Sequence, residues 1–364
     1  MKILFLSTHA NTGGITSYLL TLTKGLIRRG HHVHLVSSGG DHIETFQKLG
    51  AKTVILNLKT KSELNPKIYG ALLPLKNYID EQHIDVIHAQ TRVTQVMGTC
   101  LKIMTRKPCV STCHGFFKNR LSRRLFSCWG DHVIAISSQV KDHLQNDFHL
   151  PSEKIVLIEN GIDLEMFPLV NASQRASRRK EFQFHDEVII GMIARLSDVK
   201  GQDILIRAMP QILKHFPDTR LLLVGQGKME GELKTLTQKL GLDNHVRFYP
   251  VVNQTAEMLP IFDVICVPSR QEGLGLSIME AQATGIPVVA SNVGGIPTLI
   301  EEGKTGLLVE AGNPDALAQA VVSLLQDKNK AQSLGQAARR FIEEKYSAEK
   351  MVEKTVSLYK KLMV

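Results

Sequence analysis

Residues 263–285 read DVICVPSRQEGLGLSIMEAQATG, and the rest of the chain is organised around this stretch. Val264, Ile265 and Val267 form an apolar β-branched run that predicts a buried strand, closed by Pro268 and Ser269. A loop with two glycines, Gly273 and Gly275, follows. From Leu276 the apolar residues Leu276, Met279 and Ala283 fall at helical spacing. Strand, glycine-bearing loop and helix N-terminus in that order aim free backbone N–H groups at an anion. Two carboxylates flank the loop, Glu272 within it and Glu280 eight residues on. Like charges repel, so these acids are not phosphate ligands; they accept hydrogen bonds from neutral hydroxyls. The stretch therefore implies a phosphate held between two hydroxyl-bearing groups, the chemistry of a nucleotide-sugar.

Working outward, apolar strands alternate with helical stretches on both sides. Upstream and downstream of residue 263, strands are expected at 188–194, 221–224, 246–249, 264–267, 288–290 and 307–309. A first series covers 2–7, 32–38, 53–56, 86–89, 109–112, 133–136 and 155–158. This βαβα rhythm implies parallel sheets with helices on both faces. It pauses over 160–179, where NASQRASRR reads as a polar connection. Two series predict an α/β chain of two Rossmann-like, doubly wound domains facing a cleft: residues 1–165, residues 166–345, and a C-terminal helix 346–364 packing back on the first. Ligands in such sheets sit outside the carboxyl ends of the strands.

The loops at those ends carry the candidate residues. Gly13-Gly14 follow the first strand and open a helix, where glycine permits close backbone approach, but the G-x-G-x-x-G dinucleotide fingerprint is absent. Gly225-Gln226-Gly227 also follows a strand, and its third glycine falls one place late. Arg195 and Lys200, five residues apart after the 188–194 strand, are placed to grip a diphosphate from two sides. His114 ends the 109–112 strand; an isolated histidine there is more often a satisfied core group than a catalyst, and its loop position raises it. No Ser-His-Asp set and no Asp-x-Asp metal site stands at a strand end. Five cysteines, an odd number without a framework, point to reduced thiols in a cytosolic protein. The Cys109-x3-Cys113-His114 cluster lacks a second ligand pair and reads as buried filler. The first apolar run is a strand rather than a secretory signal, and no run reaches transmembrane length.

Charge is uneven. Net charge is +9, with 20 Lys/Arg against 13 Asp/Glu over residues 1–165 and 24 against 22 over 166–364. Between Val86 and Gly130 there are eight bases and no acid, a block that points to an anionic partner. Within it, Leu121, Leu125 and Trp129 repeat every four residues among Lys118, Arg120, Arg123 and Arg124. Residues 116–129 thus read as a basic amphipathic helix, either core-packed with a solvated face or lying on an anionic membrane. Stacking aromatics are not interleaved as nucleic-acid binding requires.

Together these residues resemble the retaining glycosyltransferases of family 4, which have the two-domain GT-B architecture. The resemblance covers nearly the whole chain: Gly13-Gly14, His114-Gly115, Asn160-Gly161-Ile162-Asp163, the Arg195 to Lys200 loop and PSRQEGLGLSIMEAQATGIPVVAS. Glu272 to Glu280 matches that family's Glu-x7-Glu signature. The resemblance implies that Arg195 and Lys200 hold the donor diphosphate, Glu280 the ribose and Glu272 the sugar hydroxyls. It gives phosphate and sugar contacts to the amides of Gly273, Leu274 and Gly275, the transferred sugar to His114, and the donor phosphates to Gly13 and Gly14. It implies no cofactor, no metal, and transfer by front-face attack without a protein nucleophile. Thr298 departs from the Glu often found after Gly-Gly-x-Pro, and Pro250 from the Gly often found near the base-binding strand; the second leaves the nucleobase open.

The expectation is thus a cytosol-facing hexosyltransferase, peripheral on the inner face of the plasma membrane. It takes a UDP-sugar in preference to a GDP-sugar, and its acceptor is a polysaccharide, lipopolysaccharide or glycolipid. The alternatives are a sugar-nucleotide epimerase of the same build and a non-catalytic nucleotide-sugar-binding protein.

Overall fold

A computed structural model describes residues 1–60, 65–117, 123 and 126–363. The chain divides into two units: Met1–Gly161 with Ala348–Val364, and Ile162–Ser347. The first unit is built on β1 (Lys2–Leu6), β2 (His32–Ser37), β3 (Lys52–Ile55), β4 (Val86–Ala89), β5 (Cys109–Cys113), β6 (His132–Ala135) and β7 (Ile155–Leu157). They form one sheet in the order β3-β2-β1-β4-β5-β6-β7, every pairing parallel. The second is built on β8 (Val188–Ile193), β9 (Thr219–Val224), β10 (Val246–Tyr249), β11 (Val264–Val267), β12 (Val288–Ser291) and β13 (Leu307–Val309). Their order is β10-β9-β8-β11-β12-β13, again all parallel.

Central strands such as β4 and β11 are buried at every position, because helices cover both faces of a parallel sheet and alternation disappears. In the first unit one face packs Phe5, Val110 and Ile134 against the helix Gly14–Arg28 and the C-terminal helix Ala348–Leu362. In the second, Ile190, Leu223, Cys266 and Val289 pack against the helices Gln202–His215 and Pro314–Gln326. Strand order reverses between β1 and β4 and between β8 and β11, which are the switch points where such sheets take their ligands.

Two expectations change. The run NASQRASRR is not a polar connection but part of the helix Ala172–Glu181. Asn171 and Gln174 close a capping box at its start. The helix buries no residue outright, so no apolar period betrays it. Arg175 and Arg179 anchor it instead, with Nη2 atoms 2.8 and 2.6 Å from the two oxygens of Asp263, the residue that opens β11. The second change concerns residues 116–129. Lys118, Arg120, Leu121, Arg124 and Leu125 lie outside the described residues, but Phe116, Phe117 and residues 127–129 are not helical. Trp129 is 3% exposed, and its carbonyl accepts from the Ser111 hydroxyl at 2.7 Å. The expected helix thus does not run through 116–129 as a whole: its described ends lie outside a helix, Arg123 within it is helical, and Trp129 is tied to β5. Arg123 sits with its guanidinium 4.2 Å from the Phe117 ring centroid. Among the described residues no helix is long and apolar enough to cross a membrane.

Candidate functional site

In the second unit the candidate residues gather on the loops that follow β8 and β11, the two neighbouring strands at the switch point. The signature loop is zipped to the earlier one by backbone bonds from Arg270 and Gln271 to the Val199 carbonyl, at 2.8 and 3.3 Å. The Arg270 guanidinium forks onto Asp203 at 2.8 and 2.7 Å and reaches the Asp198 carbonyl at 3.1 Å. Gly201, at φ 78°, begins the helix Gln202–His215; a Cβ there would stand 1.9 Å from the Pro268 carbonyl oxygen. Only glycine lets the two loops approach this closely. The Gly225-x-Gly227 pair has the same explanation. Cβ atoms at these positions would meet the carbonyls of Ala194 and Leu196 at 2.1 and 2.0 Å, so both glycines press against the Arg195 loop.

This packing brings Lys200 and Glu272 together: Nζ donates to Oε2 at 2.6 Å, both side chains largely buried. The fully buried Ser269 hydroxyl stands 3.5 Å from the same oxygen. Arg195 is exposed, its carbonyl held by Gln202 Nε2 at 3.0 Å. Between Arg195 and Lys200 the buried Ser197 hydroxyl has no hydrogen-bond partner among the described residues, nor has the Gln202 Oε1. Buried polar atoms without partners are costly, and here they mark polar capacity beside the two cations. Gly275, at φ 110°, begins the helix Leu276–Ala283 with no acid in the first turn, leaving its positive end uncompensated. Gly273 and the buried Leu274 complete the loop.

Glu280, one turn into that helix, is 8% exposed. Burial pushes its carboxyl up to about 7, opposed in part by a hydrogen bond with Thr255. Neither Thr255, Arg270 nor Asp203 carries a sequence signal that singles it out; each is a common surface residue type whose role is set by what folds against it. Among the described residues no cluster of three His, Cys, Asp or Glu side chains is arranged for a metal.

In the first unit Gly13 and Gly14 begin the helix Gly14–Arg28, again with no acid in its first turn. A Cβ on Gly13 would meet nothing within 4 Å, so the space before the helix is open. The loop is braced by Ala10 N–H to the Gly39 carbonyl at 2.8 Å and by Thr12 Oγ1 against His42 Nε2 at 3.1 Å. His114 follows β5, with Nε2 2.9 Å from Gln90 Oε1 at the end of β4. Its ring meets the edge of Tyr18, one turn beyond Gly14, with centroids 5.0 Å apart. Burial pushes the imidazole down to about 3, so it is neutral at physiological pH. Gln90 and Tyr18 were not recoverable from spacing, since they lie 24 and 96 residues from their partner.

Two parallel doubly wound sheets, with a glycine-led helix and paired cation and carboxylate at the switch point of the second, define the GT-B glycosyltransferase class. Residues 12–166 match the model of Glycosyltransferase Family 4 and residues 173–341 that of Glycosyl transferases group 1. Each half of the chain thus matches a glycosyltransferase model. It is 28% identical to an uncharacterized glycosyltransferase of Methanocaldococcus jannaschii, over 96% of this chain and 94% of that protein. It is 25% identical to the D-inositol 3-phosphate glycosyltransferase of Corynebacterium glutamicum, over 90% of this chain and 89% of the other. Anabaena HepE, solved in complex with UDP-glucose, shares the fold with a TM-score of 0.88 at 23% identity, covering 99% of this chain and all of that one.

Proposed function

We propose that the protein is a retaining, metal-independent glycosyltransferase that moves a hexose from a nucleotide-diphosphate-sugar, a UDP-sugar foremost, to a hydroxyl of a polysaccharide, lipopolysaccharide or glycolipid. The observation that carries the reading is the Lys200–Glu272 pair, its carboxylate on the loop that leads into the glycine-led N-terminus of the helix Leu276–Ala283. The loops after β8 and β11 thus present a cation, a carboxylate and a helix N-terminus at one switch point, the set a phosphate-linked sugar requires. Arg195, Lys200 and the amides of Gly273, Leu274 and Gly275 take the diphosphate and stabilise the charge that grows on it as the sugar bond breaks. Glu272 accepts from sugar hydroxyls and Glu280 from the ribose. In the first unit His114 takes the transferred sugar, as a neutral partner, and Gly13 and Gly14 the donor phosphates. These cations supply the positive field that a metal would otherwise bring. HepE's complex with UDP-glucose supports the choice of donor.

The basic block supports an anionic acceptor or surface, as does the inositol 3-phosphate named for the corynebacterial relative. Peripheral attachment through Lys118, Arg120, Arg123 and Arg124 predicts binding to phosphatidylglycerol vesicles that high salt reverses. A variant with all four changed to Gln loses it; undiminished sedimentation removes the patch.

The deciding experiment is a thermal-shift screen across UDP-, GDP- and ADP-sugars, since a ligand raises stability by mass action. It is followed by turnover with and without acceptor, in excess EDTA. UDP-sugar binding, nucleotide release that needs acceptor, and an α-anomeric product from an α-linked donor are expected. Nucleotide release without acceptor, an inverted product, or loss of activity in EDTA restored by Mg²⁺ would each overturn the corresponding part.

A further inference from the structure

The apolar core of the first unit contains a string of polar groups that the proposed chemistry does not use. Tyr18, His88, Thr112 and Tyr359 are each at most 1% exposed. The Tyr359 hydroxyl, on the helix Ala348–Leu362, lies 2.6 Å from His88 Nδ1, and His88 Nε2 lies 2.7 Å from Thr112 Oγ1. Thr112 Oγ1 is in turn 3.4 Å from the Tyr18 hydroxyl. Tyr18 then meets the His114 ring edge-on, and Gln90 holds the far side of that ring. Phe5, Leu22, Val110 and Val356 surround the string.

Burial pushes the His88 imidazole down to about 3, so it is neutral and has one donor and one acceptor nitrogen. Its two bonds therefore run head to tail: whichever way Tyr359 is turned, the opposite role is imposed on Thr112. A histidine that merely satisfies itself in a core needs only neighbouring partners. This string instead draws on helix Gly14–Arg28, β4, β5 and the last helix of the chain, and it ends on the candidate residue His114.

We propose that Tyr359 is a positioning residue for sugar transfer, fixing the orientation of the His114 ring through His88, Thr112 and Tyr18. The inference rests on the assignment of His114 to the transferred sugar. Its test uses the full chain as wild type, Tyr359→Phe and Thr112→Val, the last breaking the string from the strand side at nearly constant volume. Nitrogen-15 imidazole spectra and UDP-glucose turnover are recorded well below each unfolding midpoint. The His114 resonances should shift or broaden in both variants, with kcat lowered about tenfold and donor KM within about twofold. In a His114→Ala background, Tyr359→Phe should lower kcat no further. Unchanged His114 resonances would overturn the proposal, as would a full additional loss in the His114→Ala background. A wild type without transferase activity would refute the functional reading instead, while the His114 resonances would still decide whether the string reaches that ring.

Discussion

Lys200 and Glu272 form a 2.6 Å ion pair with both side chains mostly withdrawn from solvent. The two residues proposed for adjoining parts of the donor, diphosphate and sugar, thus hold one another in place. Removing one leaves the other's charge half-buried and unpaired, which costs more than the pair contributes. Lys200→Ala should lower kcat/KM by about two to three orders of magnitude, as loss of a charged transition-state contact does. It should also lower the unfolding midpoint. Arg195→Ala, whose side chain is exposed, should lose a similar factor in turnover with little change in stability. The double variant Lys200→Ala with Glu272→Ala should recover part of the lost stability and none of the activity. Near-wild-type kcat/KM in both single cation variants would remove the diphosphate role.

Arg270 reaches Asp203 with both terminal nitrogens and the Asp198 carbonyl with one, so its planar fork fastens the Glu272 loop to the Lys200 loop. A lysine keeps the charge and loses the fork. Because the pair is partly exposed, Arg270→Lys should cost under about 1 kcal/mol of stability. It should nevertheless lower kcat/KM about tenfold, because small displacements of reacting groups weigh heavily on rate. Urea melts and donor-saturation kinetics on one preparation check both. A stability loss with unchanged kcat/KM would reduce Arg270 to a surface tie.

How far the fold was legible follows from which residues carry periodic signals. Runs such as Val264–Val267 and Val86–Ala89 are buried on both faces, and an unbroken apolar run is readable without any partner being known. The helix Ala172–Glu181 was not, because arginines rather than apolar residues dock it. Within the site, glycines and the spacing of Glu272 and Glu280 gave the loop and helix. The Lys200–Glu272 pairing spans 72 residues and the Arg270–Asp203 fork 67, and long-range side-chain pairs leave no local pattern.

That arginine-docked helix yields its own prediction. Asp263 accepts from Arg175, from Arg179 and from the Ile189 backbone N–H at 2.7 Å, tying the helix to the starts of β8 and β11. Asp263→Ala leaves two guanidinium groups facing one another over a lost carboxylate, a change that should cost about 3 kcal/mol. The triple variant lacking Arg175 and Arg179 as well should be more stable than Asp263→Ala alone. Denaturant unfolding of the three proteins measures this. If the single variant unfolds at the wild-type midpoint, the helix is held by something other than this ion-pair cluster.

Glu280 gives a pH dependence whose sign can be worked out. Its carboxyl titrates at about 7 in the folded chain, raised from an ordinary 4.5 chiefly by burial. Between those values the folded protein holds a proton that the unfolded chain has released, so stability falls as pH rises through this window. Glu280→Gln should therefore match wild type near the lower end and exceed it above neutrality, by on the order of 3 kcal/mol at full ionisation. Ligand binding adds a second observable. A ribose donating two hydroxyls favours the carboxylate, so UDP binding to wild type should release a proton and tighten as pH rises through about 7. Calorimetry in two buffers of different ionisation heat reads the protons released, and Glu280→Gln should bind UDP more weakly and release fewer, the remainder belonging to the terminal phosphate of UDP. Buffer-independent heats in the wild type near neutral pH would mean that the carboxyl does not ionise on binding, and the ribose assignment would fall.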